Sequence, residues 1–257
     1  MNNKTYEPVL IVKNLTKSFG GVKAINNVTI SLSEGKSRVL IGPNGAGKTT
    51  LFNLITGEIT MDRGEIFLYG ENISRSPVQR RSELGLTRTY QISNLFKEMT
   101  VQENLFLALN SKNWEDSAGK KILFFHNWNT YRKRIERIKE VAVDVALENK
   151  LRTTVSSLSH GEQRQLELGM ALAPNPRVIL FDEPLAGLSP QERRYMAELV
   201  RKIAQEKIAL IIEHDMEFAL SITEHVTVLS HGQVIAEGSP QEVKDNPDVH
   251  KIYKLTG

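Results

Sequence analysis
The sequence of 257 residues contains no cysteine. Disulfides, thiolate metal sites and thiol catalysis are therefore excluded, and the absence is compatible with the cytosol. Long hydrophobic runs are missing too. Stretches such as Val178-Ile179-Leu180-Phe181 and Ala209-Leu210-Ile211-Ile212 are short, whereas a membrane span needs about 20 apolar residues. The opening segment Met1–Glu7 lacks the apolar stretch of a secretory signal. The expectation is a soluble chain whose link to a membrane comes through a partner. No charge of one sign dominates: 33 Lys plus Arg face 30 Asp plus Glu, a net +3. No long basic tract supports nucleic acid as a partner, and the mild excess suits an anionic membrane surface equally well. With 40% hydrophobic residues, the chain is long enough for a sizeable core in one domain with a subdomain.

The most informative stretch is Gly42-Pro43-Asn44-Gly45-Ala46-Gly47-Lys48-Thr49-Thr50. It fits G-x-x-x-x-G-K-[ST], a loop whose glycines let backbone N–H groups close round a phosphate. Lys48 adds a point charge for the β- and γ-phosphates, and the Thr49 hydroxyl is placed for Mg²⁺. Ser37–Ile41 reads as a buried strand entering the loop. Thr50–Ile55 reads as a helix leaving it, with its N-terminus toward the anion.

Upstream, Val9–Val12, Val22–Ile25 and Val28–Leu32 alternate as short strands, with Gly20-Gly21 turning between the first two. They predict an antiparallel β layer, to which Gly64–Gly70 adds a further strand. From the loop onward strands alternate with helices, which predicts a parallel α/β core. Thr100 and Glu103 cap a helix over the segment that follows. Asn110–Lys121 reads as a polar loop. Tyr131–Leu147 reads as a helix with Ile135, Ile138, Val141, Ala142 and Val145 on one side. Arg132-Lys133-Arg134 in that helix reads as a solvated face with i,i+4 ion pairs rather than a nucleic-acid patch. A single domain over 1–257 is expected: a core from 1–92 and 171–257, with a mostly helical insertion over about 93–170.

Arg177–Pro184 is the second informative stretch. A strand buried on both faces ends in two carboxylates, where open α/β sheets place ligand chemistry. Asp182 suits Mg²⁺, which prefers hard oxygen ligands. Glu183, on the opposite side of a regular strand, suits a general base for water. His214 follows another buried strand and can hydrogen-bond a γ-phosphate or the attacking water. The Gln91 amide can contact Mg²⁺ or that water without adding charge.

Five segments in order resemble the ATP-binding-cassette ATPase family: Gly42–Thr50, Gln91, Leu158-Ser159-His160-Gly161-Glu162-Gln163, Val178–Pro184 and His214. The resemblance implies a P-loop NTPase core with an antiparallel β subdomain and an inserted α-helical subdomain. It implies ATP and Mg²⁺ as ligands, and two modules closing head to tail over two nucleotides. By position it makes Phe19 the aromatic that stacks on adenine, Glu183 the base and His214 the γ-phosphate switch. Ser159 and Gly161, at the start of a helix over Glu162–Ala173, would reach the nucleotide of the other subunit. Leu185–Ser189 would link the two sites. His160 and Glu162 depart from the usual L-S-G-G-Q, and an acidic side chain beside phosphate is unfavourable unless it points away.

Phe96–Leu105, Ile212–Met216, Asn246–Val249 and the insertion over Asn110–Tyr131 are similar to ATPase subunits of branched-chain amino-acid importers and of related urea or amide importers. That resemblance implies a second cassette ATPase, identical or paralogous, permease subunits, a substrate-binding protein reached indirectly, and the cytoplasmic membrane face. Ile92–Met99, with Leu95 and Phe96 as apolar anchors, would contact the permease, although both could instead pack the helical lobe. A lipid or lipopolysaccharide exporter ATPase, or a soluble cassette ATPase without a permease, is the alternative. The GTPase signature N-K-x-D is not met, because Asn149-Lys150-Leu151-Arg152 ends in arginine.

Overall fold
Gly20-Gly21 does turn the chain between two long strands, β1 (Pro8–Phe19) and β2 (Val22–Ser33). In the computed structural model, residues 8–35, 37–89, 95–110, 128–214 and 216–254 are described. The sequence break at Asn26-Asn27 does not separate two strands. It is a bulge within β2, where the register shifts between Leu15↔Val28 and Lys17↔Ile25 and Asn27 takes φ 57°. A bulge of this kind bends a strand without ending it.

β3 (Arg38–Ile41) leads through the glycine loop into α1 (Lys48–Thr56). There follow β4 (Arg63–Leu68), β5 (Glu71–Asn72), α2 (Val78–Glu83) and β6 (Leu86–Arg88). Helices α3 (Val101–Asn110), α4 (Trp128–Asp144) and α5 (His160–Leu172) come next, then β7 (Val178–Asp182), α6 (Pro190–Glu206) and β8 (Ile208–Ile212). The chain closes with α7 (Met216–Ile222), β9 (Val226–Ser230), β10 (Gln233–Gly238), α8 (Pro240–Asp245) and α9 (Pro247–Lys254).

Two compact units result. The first takes the described residues up to Arg88, Arg177–Glu183 and those from Val200 onward; the second takes those of Thr89–Pro176 and Pro184–Leu199. The first holds an antiparallel sheet, β2-β1-β4-β5, and a six-stranded sheet, β10-β9-β3-β8-β7-β6. Every residue of β3, β7, β8 and β9 is buried, as expected of parallel strands covered on both faces. Leu40 is level with Ile212, and Ile212 is level with Asp182. Three parallel strands therefore end in one row, and the residues that follow them emerge at one edge. Leu10, Leu15 and Ile66 of the antiparallel sheet join Leu40, Phe52 and Leu180 in a single core.

The second unit packs α3, α4 and α5 through Leu105, Ile138, Val141, Ala142 and Leu166. Gly169 permits their approach, because a Cβ there would meet Leu105, Val145 and Val141 at 3.2–3.4 Å. α4 begins at Trp128 and stops at Asp144, short of the expected Leu147. Ala146 takes φ 54°, and bonds from Leu147 N–H to Ala142 O (2.7 Å) and Ala146 N–H to Val143 O (3.1 Å) close the helix end. Val145 and Leu147 remain buried beyond it. Arg132 pairs with Glu136 at 3.5 Å on the solvent side. The expected loop over Asn110–Lys121 lies outside the described residues apart from Asn110, the last residue of α3.

Candidate functional site
Gly42, Gly45 and Gly47 take φ 155°, 77° and 104°. A Cβ at Gly42 would strike the Leu229 carbonyl, and one at Gly47 the Ala24 carbonyl. Only glycine lets this loop lie so close to β9 and β2. Gly47 is the N-cap of α1 and has no side chain to cap it, which suits a helix N-terminus that receives an anion. Lys48 is 5% exposed, and its Nζ donates to the Gly42 carbonyl at 2.7 Å and the Pro43 carbonyl at 3.1 Å. Burial pushes its pKa down, while the fields of Glu183 and Asp182 pull it up. The three charges thus share one neighbourhood.

Asp182 ends β7 and is 3% exposed. Its Oδ2 accepts from Arg88 Nη2 at 2.6 Å. Burial raises its pKa and the Arg88 hydrogen bond counters the rise. Strand alternation puts Glu183 on the side opposite Asp182, but β7 ends at Asp182. Glu183 takes φ 50° and has left the strand, so a left-handed turn, not the β pleat, directs its side chain. Its N–H still donates to the Ile212 carbonyl at 3.1 Å, and its Oε1 contacts His214 Nε2. The His214 N–H in turn donates to Glu213 Oε2 at 3.1 Å. Carboxylate and imidazole therefore meet at the edge where the glycine loop begins.

Ser159 and Gly161 lie in the second unit. α5 starts at His160, not Glu162, because Ser159 caps it. Glu162 N–H donates to Ser159 Oγ at 3.2 Å, and Ser159 N–H donates back to Glu162 Oε2 at 2.9 Å. Glu162 also pairs with Lys150 at 3.1 Å. Glu162 thus completes a capping box with Ser159, and its carboxylate is turned back onto the helix end. Gly161 N–H donates to Glu192 Oε1 at 3.0 Å, and a Cβ at Gly161 would sit 2.6 Å from that oxygen. The Glu192 carboxylate also accepts from the Ser189 N–H at 3.0 Å and the Ser189 hydroxyl at 2.6 Å, at the start of α6.

Phe19 is 51% exposed at the end of β1, with Lys17 Nζ 5.4 Å from its ring centre. Gln91 lies outside the described residues, as do Ile92–Asn94. Of the two anchors expected after them, Leu95 is buried at 9% exposure and Phe96 is 53% exposed. Only Phe96 offers apolar surface. Its backbone is held by Asn104, which accepts from Phe96 N–H at 2.9 Å and donates to Phe96 O at 3.1 Å.

The model of the ABC transporter family matches residues 25–186. The chain belongs to the ABC transporter ATP-binding family. A second family model, the branched-chain amino acid ATP-binding cassette transporter, matches residues 233–253. The chain is 38% identical to the high-affinity branched-chain amino acid transport ATP-binding protein BraF of Pseudomonas aeruginosa over 251 residues, covering 96% of this chain and 97% of that one. It is 35% identical to LivG of Escherichia coli, a protein of the same description, covering 96% and 98%. Its fold is similar to a crystal structure of the ADP conformation of an ATP-binding cassette of an ABC transporter, with TM-score 0.82, 33% identity and coverage of 96% and 98%. The fold is thus the α/β P-loop core of an ABC ATPase with its antiparallel sheet, as the sequence predicts.

The donor set of this cassette fits magnesium. Thr49 offers a hydroxyl and Asp182 a carboxylate, both hard oxygens. Among the described residues no group of three or more His, Asp or Glu side chains could hold a metal by itself. Sequence reasoning missed three residues of the cassette. Arg88 was visible only as a neighbour of Gln91. Glu192 had a signal, since Ser189-x-x-Glu192 is a capping pattern. Tyr253, where the second family match ends, hydrogen-bonds the Gly42 backbone, and burial pushes its pKa up to about 12.

Proposed function
We propose that this ABC ATPase is the ATP-hydrolysing subunit of an importer for branched-chain amino acids or related small polar solutes. The observation that carries the reading is the contact of Glu183 with His214 on the sheet edge from which the glycine loop emerges. The descriptions of BraF and LivG and the match over 233–253 support the solute class. In this reading the backbone of Gly42, Pro43, Asn44, Gly45, Ala46 and Gly47 and the side chains of Lys48 and Thr50 bind the phosphates. Phe19 stacks on adenine. Thr49, Asp182 and Gln91 would hold Mg²⁺, which would neutralise charge developing on the phosphates. Glu183 takes the proton of the attacking water, and His214 fixes the carboxylate that does so.

Ser159 and Gly161, on the helical subdomain of about 93–170, serve the nucleotide of a second cassette subunit, identical or paralogous. Glu192 must then release Gly161 N–H. Phe96 meets the permease subunits at the cytoplasmic face of the membrane, and a substrate-binding protein acts through them. The test is detergent purification of the tagged protein from its native membranes, with ATPase assay of whatever co-purifies. Two hydrophobic permease subunits and hydrolysis stimulated by leucine, isoleucine or valine with their binding protein are expected. Recovery of soluble partners alone would refute the transport reading. In the same complex Glu183→Gln is expected to bind ATP, lose turnover and accumulate closed dimer, and unchanged turnover removes Glu183 as the base.

A further inference from the structure
Arg88 is the last residue of β6 and three positions before Gln91, and it is 8% exposed. Its guanidinium fork holds two elements at once. Nη2 donates to Asp182 Oδ2 at 2.6 Å, and Nη1 donates to Asn53 Oδ1 at 2.5 Å. Nη1 also reaches both oxygens of Glu58, at 3.2 and 3.3 Å. The guanidinium carbon stands 5.6 Å from the centre of the Phe52 ring, which is fully buried on α1. Asn53 lies four residues after Thr49 on the same helix, so the two share one face of α1. The fork therefore ties the carboxylate at the end of β7 to the face of α1 that carries the Thr49 hydroxyl.

We propose that Arg88 is a positioning residue: it sets the separation of Asp182 from the Thr49 face of α1, so that the two present their oxygens to one divalent cation. The inference rests on the reading of Thr49 and Asp182 as the magnesium holders. A carboxylate has lone pairs on both oxygens, so the bond to Arg88 does not by itself prevent Asp182 from serving a cation. The choice of arginine follows from the geometry. Two nitrogens on a planar, pre-organised fork reach Asp182 and Asn53 together, whereas the single nitrogen of lysine does not. Burial removes competing water, and partners behind a metal ligand tune its affinity through orientation.

The test is calorimetric binding of ADP to the full chain, with magnesium and with EDTA, for wild type, Arg88→Gln, Arg88→Lys and Asn53→Ala. Wild type is expected to bind more tightly with magnesium. Arg88→Gln should keep the EDTA affinity and lose about 10-fold of the magnesium gain, the usual effect of removing a partner behind a metal ligand. Arg88→Lys should restore only part of that loss, and Asn53→Ala should lose part of the gain while leaving the Arg88–Asp182 pair in place. A full magnesium gain in Arg88→Gln overturns the proposal. So does an equal loss with and without magnesium, which makes Arg88 a support of the fold only. If Arg88→Gln does not fold, an unchanged gain in Asn53→Ala overturns it. A wild type without any magnesium gain refutes the metal-holding reading itself, a result distinct from a loss confined to the variants.

Discussion

Glu183 is a non-glycine residue at φ 50°, directly before Pro184. In the left-handed region a Cβ costs about 1–2 kcal/mol, and a following proline narrows the accessible backbone further. The strain is of the kind that persists at functional positions. Comparing Glu183→Gly with Glu183→Ala isolates it, since both variants lose the carboxylate and its contact with His214. Glycine removes the Cβ penalty of about 1–2 kcal/mol but restores freedom to the unfolded chain, worth about 0.4–1 kcal/mol. The balance favours glycine by about 1 kcal/mol, or about 2–4 °C in melting temperature for a chain of this size. At a helical or extended position the order reverses, with alanine the more stable. Thermal unfolding followed by circular dichroism, with nucleotide absent, measures the difference. A Glu183→Ala protein as stable as Glu183→Gly, or more so, refutes the strain argument. Neither variant is expected to hydrolyse ATP.

Gly47→Ala places a Cβ on the Ala24 carbonyl at φ 104°; a loss of about 2 kcal/mol or more is expected from backbone conformation and clash together. Nucleotide binding should vanish as well, both readable from one set of melting curves with and without ATP. Glu103, Glu162 and Glu242 are held below the usual carboxylate range chiefly by the N–H groups of Thr100, Ser159 and Ser239, and Glu192 chiefly by the Ser189 hydroxyl. A depressed folded pKa adds stability that is fully present above about pH 4.3, the unfolded glutamate value, and is lost as pH falls through the lowered values. Glu162→Gln should therefore melt below wild type at neutral pH and converge with it in acid. Curves that stay parallel down to the acid limb count against a capping role for the carboxylate.

Local pattern was enough for much of this cassette. The glycine loop declares itself because phosphate contact demands glycines and a lysine at fixed spacing along one short segment. The strands β3, β7 and β8 declare themselves because a parallel strand covered on both faces must be apolar throughout. The start of α3 is legible in Thr100 and Glu103, since a capping box closes within four residues. Other features depend on partners far away in sequence. Arg88 matters through Asp182 and Asn53, which only the packing of β6, β7 and α1 brings to one guanidinium. Strand alternation does not govern Glu183, because β7 ends one residue earlier and the left-handed turn there is held by the Ile212 carbonyl of a neighbouring strand. Asn26-Asn27 looked like a break and is a bulge, because β1 supplies a partner on both sides of it. Glu162 looked like a charge aimed at phosphate, and its place at the third position of α5 turns it back to the cap. Tyr253 reaches Gly42 from the other end of the chain. Spacing along the chain thus determined which groups can do phosphate chemistry. Tertiary structure alone decided which other residues hold those groups in place, because such contacts bridge strands and helices that share no local pattern.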